Sequence, residues 1–314
     1  MRRRQVQTVL GRLPRPAAQR ARIMISSRGG GGGSMLAGMP EDAALEGLLA
    51  PFQPHRPGEV KGLKTFAFLP ESVIQRLATL ALDEDWGKDH FVLTKYLAEH
   101  VPMSLRQGRF SSFEGELTVT AGSLQTRYGT PIYLVFAPNS RPEASPWVLR
   151  AATDRPRVAS LPQPPELPEW PPIDLNSEVV IAHEHILEEN RDRVGFLRGT
   201  PPVAQMCAVA GAIQWSIHRG LSIRQLYFGT MGYFVPVYLT SRENITAPPD
   251  LVAPVQTQPG YLVARTLLVP HMAFSRARVV AKRADQLPSW LTRAWHEYSE
   301  LVPVDVDDIS DLDG

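Results

Sequence analysis

The stretch AHEHILEENRDR, residues 182–193, puts two histidines, three glutamates, an aspartate and two arginines into twelve positions of a chain that has eight histidines. Such a set could hold a metal or move protons. A zinc-protease helix needs HExxH, because only the i, i+4 spacing puts both imidazoles on one helix face. Four positions after His183 stands Leu187, so that reading fails. An H-x-H pair can chelate from a strand, but on a helix the two side chains diverge by about 200°. The surrounding charge favours the helix. What survives is His185 as a general acid/base near neutral pH, with Glu184 or Glu188 as its partner. The remaining charged residues read as a solvated helix face.

A second dense stretch is YLVARTLLVPHMAFSRARVVAKR, residues 261–283. Arg265, Arg276, Arg278, Lys282 and Arg283, with His271, could line a phosphate or carboxylate site, since guanidinium forks suit bidentate anion recognition. The competing reading is a helix whose basic side faces water. GTMGYFVPVY and the run Gly29–Gly33 lack both the Lys-Ser/Thr ending of a P-loop and the strand-flanked pattern of a dinucleotide fold. A nucleophile elbow of the form GxSxG is also missing.

Composition narrows the classes. With 43% hydrophobic and 21% charged residues over 314 positions, the chain can bury a real core. Its net charge of +1 is unevenly spread. Residues 1–40 hold eight arginines and no Asp, Glu or Lys, so the remainder is mildly acidic. That argues against a duplex-DNA clamp, whose basic residues would cluster on the folded body. The single Cys207 cannot form an internal disulfide and points to a reducing, cytoplasmic setting. In PVAQMCAVAGAI it reads as a buried small hydrophobe. No apolar run reaches the length of a membrane-spanning helix. The Arg-rich arm lacks an apolar signal core, resembles a transit peptide in composition, and contains later start candidates at Met24, Met35 and Met39.

The elements that must position these residues are expected as an α+β fold. Residues 1–60 read as a disordered Arg/Gly/Pro-rich arm with at most a short helix at DAALEGLLAPF. An N-terminal α+β part over 61–154 has helices over about 71–82 and through FVLTKYLAEHVPMSLRQGRF, where Pro102 is expected to kink the chain. A hairpin follows in GELTVTAGSLQTRYGTPIYLVFAPN, an order compatible with a winged helix. Residues 155–173, with seven prolines, read as an extended linker or surface strap. A C-terminal α+β part over 174–298 opens with a helix capped by Ser177, then has a helix in PPVAQMCAVAGAIQWSIHRG, short strands, and a helix in LPSWLTRAWHEYSEL. Residues 299–314 form an acidic tail.

In their order, TFAFLPE, LALDEDWG, LTKYLAEHVPMSLRQGRF, GTPIYLVFAPN, EHILEENRDR, GAIQWSI, FVPVYL and YLVARTLLVPHMAFSRARVVAKRADQLPSWL resemble domain-of-unknown-function family 3825, over about Leu63 to Leu291. The resemblance implies a mostly bacterial, cytoplasmic domain, in some members joined to a LOTUS-type winged helix associated with RNA. It brings no established reaction, and any cofactor stays unknown. The family's His-Ile-Leu with following Asn and Arg falls on His185, Asn190 and Arg193, and its closing block on Arg265, Thr266, Ala277 and Arg278. The chain departs where the family shows Asp-Met-Ala-Tyr and Asn-Ala-Arg: it has His271 before Met272 and Ala273, then Phe274 and Arg276. If the replaced Asp were a catalytic acid or a metal ligand, this member would be inactive or altered. No LOTUS segment is recognised in the sequence, which weakens the link to RNA.

The leading expectation is a protein that binds RNA or a nucleotide-like anion, with Arg193, Arg265 and Arg278 as phosphate partners, Asn190 beside them and His185 as polar organiser. A hydrolase or nuclease using His185, and a scaffold recruiting partners through its charged ends, are the alternatives.

Overall fold

The computed structural model describes residues 41–141, 145–182, 186, 199–227 and 229–301. Two five-stranded mixed sheets and seven α-helices make up these residues, an α+β architecture. The first sheet contains β1 (Ala67–Phe68), β2 (Phe110–Phe113), β3 (Glu116–Gln125), β4 (Pro131–Pro138) and β5 (Trp147–Thr153), in the order β1-β5-β4-β3-β2. The second contains β6 (Glu178–Ile181), β7 (Ile223–Tyr227), β8 (Thr230–Val237), β9 (Leu251–Gln258) and β10 (Tyr261–Ala264), in the order β6-β10-β9-β8-β7. Both sheets share one plan. The first strand of each half lies parallel to the last, and the other neighbours are antiparallel.

Helices α1 (Glu41–Leu49), α2 (Val60–Phe66), α3 (Glu71–Leu80) and α4 (Phe91–Arg106) precede the meander of the first half. Ile74 and Leu77 on α3, and Val92, Leu93, Tyr96, Leu97, Val101 and Leu105 on α4, recur at helical spacing and are buried. They pack against Leu117, Val119, Leu134, Phe136 and Leu149 of the sheet. Pro102 sits inside α4 without dividing it. In the second half, α5 (Pro202–His218) covers one face of the sheet through Val209, Ala212, Ile213 and Ile217, which meet Val235, Val237, Leu251, Ala253 and Val255. Phe234 and Val252 alternate to the opposite face and join the first half's core. Helix α6 (Phe274–Val280) bridges the halves, packing on β7 and on α4, and α7 (Ser289–Leu301) closes over it with Trp290, Leu291 and Trp295.

The proline-rich stretch lies across the surface and is hydrogen-bonded on both sides. Gln107 and Glu166 exchange two hydrogen bonds of 2.8 Å, and Arg109 pairs with Glu166. Further along, Trp170 Nε1–H is shared between the carbonyls of Gln225 and Gly232, and Tyr233 Oη donates to Pro171 O at 2.6 Å. Proline removes backbone donors, so side chains of the two halves supply most of the bonds that hold it.

Several sequence expectations are revised. Residues 178–181 form a strand rather than the first turn of a helix capped by Ser177: Val179, Val180 and Ile181 are β-branched and pair in parallel register with Leu262, Val263 and Ala264. The expected hairpin is the centre of a whole sheet, because β2 and β5 extend it at both sides. Packing begins before Lys61, where Ala44, Leu48 and Phe52 are buried in the first core. Cys207 is exposed. Helix α5 carries no Asp, Glu, Lys or Arg, but only one of its faces meets the sheet, and Cys207 lies off that face. Among the described residues no helix is long and apolar enough to cross a membrane.

The segment before α2 is wedged between the halves. Gly58, at φ +77°, lies so close to the Glu99 carboxylate that a Cβ there would sit 1.7 Å from Oε1. Its neighbour Pro57 packs on Gly229 in the β7–β8 turn. Glu99 is 7% exposed, and burial pushes its pKa up to about 7 against the pull of Arg106 and Lys95. A raised carboxyl pKa means that the folded state loses stability as pH rises from about 4.5 through about 7. Glu99→Gln is therefore expected to stabilise the protein by up to ~3 kcal/mol at pH 8, with the gain vanishing below about pH 4.5. Urea unfolding of both proteins across that range measures it.

Candidate anion-binding cleft

Among the sequence-derived site residues, Arg278 has the most distinctive surroundings. It stands in the last turn of α6 and is 0% exposed. Nε donates to Glu84 Oε2 at 2.6 Å and Nη2 to Glu84 Oε1 at 2.9 Å, a bidentate pair, while Nη1 donates to Ala281 O at 2.8 Å. Its guanidinium carbon lies 5.3 Å from the Trp86 ring centre and 5.1 Å from that of Tyr96. A buried guanidinium costs several kcal/mol in desolvation unless it is paired and its donors are satisfied. Both oxygens of a carboxylate, a carbonyl and two π faces offset that cost here. Burial and pairing make Arg278 a fixed internal cation rather than an open fork facing solvent.

The cage extends into α4 and β3. His100 donates from Nε2 to Val279 O at 2.8 Å, which leaves Nδ1 as the bare ring nitrogen. No partner for that nitrogen exists among the described residues. Burial, outweighing the bond to Val279, pulls the His100 pKa down to about 4, so the ring is neutral at pH 7. Tyr96 stacks on His100 with ring centres 4.1 Å apart, accepts the Ser123 N–H at 2.7 Å, and lies 2.9 Å from Ser123 Oγ. Strand β3 comes this close only because residue 122 is glycine. The β3–β4 register breaks between Thr120 and Gln125, Gly122 takes φ +56°, and a Cβ there would meet Tyr96 Oη at 2.4 Å and His100 Cγ at 2.7 Å.

Beside this cage lies a small cleft, lined by Ser123, Leu124, Gln125, Lys282 and Arg283, with the Glu84–Arg278 pair in its wall. Lys282 and Arg283 follow the Ala281 cap of α6, and both are exposed. Arg283 pairs with Asp285, also exposed. The cleft thus offers two cations, a hydroxyl and an amide over an internally neutralised pair, which suits a small oxyanion.

The other expected site residues lie elsewhere or outside the described residues. Arg265 is exposed at the end of β10, with no ion-pair partner among the described residues. Next to it, Ala182 N–H donates to Ala264 O at 3.0 Å, so the chain leading to His185 leaves β6 beside the end of β10. His185, Asn190 and Arg193 fall outside the described residues. Thr266 Oγ1 is buried without a partner among the described residues. His271 stacks on Tyr298 with ring centres 3.7 Å apart, and burial lowers its pKa to about 4. Phe274 stacks on Trp295 at 5.1 Å. No group of three metal-ligating side chains occurs among the described residues.

Sequence reasoning missed Glu84, Tyr96, His100 and Ser123. Glu84 and Arg278 are 194 positions apart, so no spacing rule joins them. The sole sequence signal was that both lie in blocks carrying the family resemblance.

Removing one member of a buried pair leaves the other charge uncompensated. Glu84→Leu is expected to cost about 3–5 kcal/mol, and Arg278→Met with Glu84→Leu less than either single change. Urea unfolding of the three variants tests this, and simple additivity would contradict it.

No curated protein and no solved structure matches the chain. The profile of one family, described as Domain of unknown function (DUF3825), matches residues 77–287. That interval is well over half of the chain and contains both Glu84 and Arg278, and the protein therefore belongs to the DUF3825 family.

Proposed function

We propose that this protein binds RNA or a nucleotide-like anion, and that the cleft beside the Glu84–Arg278 pair receives the phosphate. The observation that carries the reading is the placement of Lys282 and Arg283 on a cleft whose wall contains a buried guanidinium held by Glu84 and the Ala281 carbonyl. Lys282 supplies a mobile point charge and Arg283 a fork able to turn from the exposed Asp285 to a ligand. Exposed ion pairs are worth little, so that exchange costs little. Arg278 acts from behind, as the charge that fixes the wall. Arg265, exposed and free of ion pairs among the described residues, is a further point of attachment for a polymer longer than a single nucleotide.

Fluorescence anisotropy with a labelled single-stranded RNA, competed by adenosine nucleotides, tests the proposal on the full chain. Lys282→Ala with Arg283→Ala is expected to weaken binding by at least about 10-fold, which corresponds to removing one or two charge-assisted hydrogen bonds. The slope of log affinity against log salt should fall by about 0.7, the value for the one phosphate that the two removed cations share. Absence of binding by the unmodified protein, or equal binding by the double variant, would overturn it.

A further inference from the structure

Hydrogen counting around Tyr96 sharpens the chemistry of the cleft. The phenol is fully buried, and its oxygen already accepts the Ser123 N–H at 2.7 Å. A phenol carries one hydrogen. Among the described residues the acceptor within hydrogen-bond distance is Ser123 Oγ, 2.9 Å away, and a buried hydroxyl without an acceptor would be costly. Burial also raises the Tyr96 pKa, so the hydrogen stays on the ring oxygen. Tyr96 Oη–H therefore donates to Ser123 Oγ. The serine's own hydrogen is left over, no acceptor for it exists among the described residues, and Ser123 lines the cleft. The phenol behind it thus holds Ser123 in the donor role.

The cleft accordingly presents a hydroxyl donor, an ammonium and a guanidinium, a set suited to a group that only accepts. Its shape restricts that group further. One wall is continuous backbone, closed by the Leu82 N–H to Gln125 O bond of 3.0 Å and the Ala81–Thr126 bridge. Arg278 seals another side, being 0% exposed itself. A phosphodiester within a strand must leave in two directions, whereas a terminal phosphate leaves in one.

We infer that the cleft is a terminal-phosphate site, in which Ser123 Oγ–H, Lys282 and Arg283 bind the dianionic monoester at the end of an RNA or of a mononucleotide. The inference deepens the reading under "Proposed function" and rests on it, because it names which phosphate that site takes.

The test compares one labelled single-stranded RNA made with a 5′-hydroxyl, a 5′-phosphate or a 3′-phosphate, binding to the full-length protein, its Ser123→Ala variant and its Lys282→Ala variant. One phosphorylated form is expected to bind at least 10-fold more tightly than the unphosphorylated RNA, and inorganic phosphate should erase the difference. Ser123→Ala should reduce that preference to about 3-fold or less. Its thermal midpoint should fall, because the buried Tyr96 hydroxyl loses its acceptor, so all affinities are compared well below that midpoint, with the 5′-hydroxyl RNA as the reference for each protein. Equal affinity for all three RNAs would overturn the terminal-phosphate inference while leaving RNA binding intact. A preference that survives Ser123→Ala and Lys282→Ala unchanged would also overturn it, since the end would then be read elsewhere. No binding by any RNA or nucleotide would remove the underlying reading as well.

Discussion

Burying the Arg278 guanidinium with none of its surface exposed is the constraint around which the two halves are arranged. The cation demands a carboxylate, and Glu84 comes from the loop that follows α3. It also needs a carbonyl, which the chain supplies just past the end of α6, and π faces, which come from Trp86 and from Tyr96 on α4. These partners belong to the first half, apart from Ala281, while Arg278 belongs to the second. Desolvation makes each of them necessary once the charge is inside, so α6 docks on α4 in a fixed register. His100 strengthens the same seam by bonding to Val279 O. The buried pair is therefore less a source of net stability than a means of specifying how the halves meet.

The cleft follows from that seam. Helix α6 ends at Val280, and after Ala281 the side chains of Lys282 and Arg283 emerge beside β3 because Arg278 pins the last turn. Strand β3 reaches the same place by breaking its register at Gly122, which allows Ser123 to meet the Tyr96 phenol. Packing, backbone geometry and hydrogen bonding thus converge on one small set of side chains.

Much of the fold was legible in the chain, and the illegible parts have physical causes. Helices α3, α4 and α5 announced themselves by apolar spacing and by Pro or Gly near their ends, and β3 and β4 by alternation around a Tyr-Gly-Thr-Pro turn. Strand β6 did not, because four residues preceding a charged stretch carry too little period to oppose a helical reading. β1 is two residues long, and the shared plan of the two halves resides in strand order rather than in sequence. Arg278 stood out as an arginine in a basic block. Its burial could not be read locally, since Glu84 comes from 194 positions away. The departure at His271 and Phe274, which raised the question of a lost acid, is filled with packing: both rings stack on α7, and His271 is held neutral.

The central claim is that the cleft formed where α6 meets β3 is where phosphate binds. Backbone amide shifts recorded during titration with a 5′-phosphorylated dinucleotide test it most directly. The expected result is that Ser123, Leu124, Gln125, Lys282 and Arg283 shift together along one saturating curve, while amides of α5 stay in place. Saturable shifts confined to other parts of the protein, with these five unmoved, would contradict it.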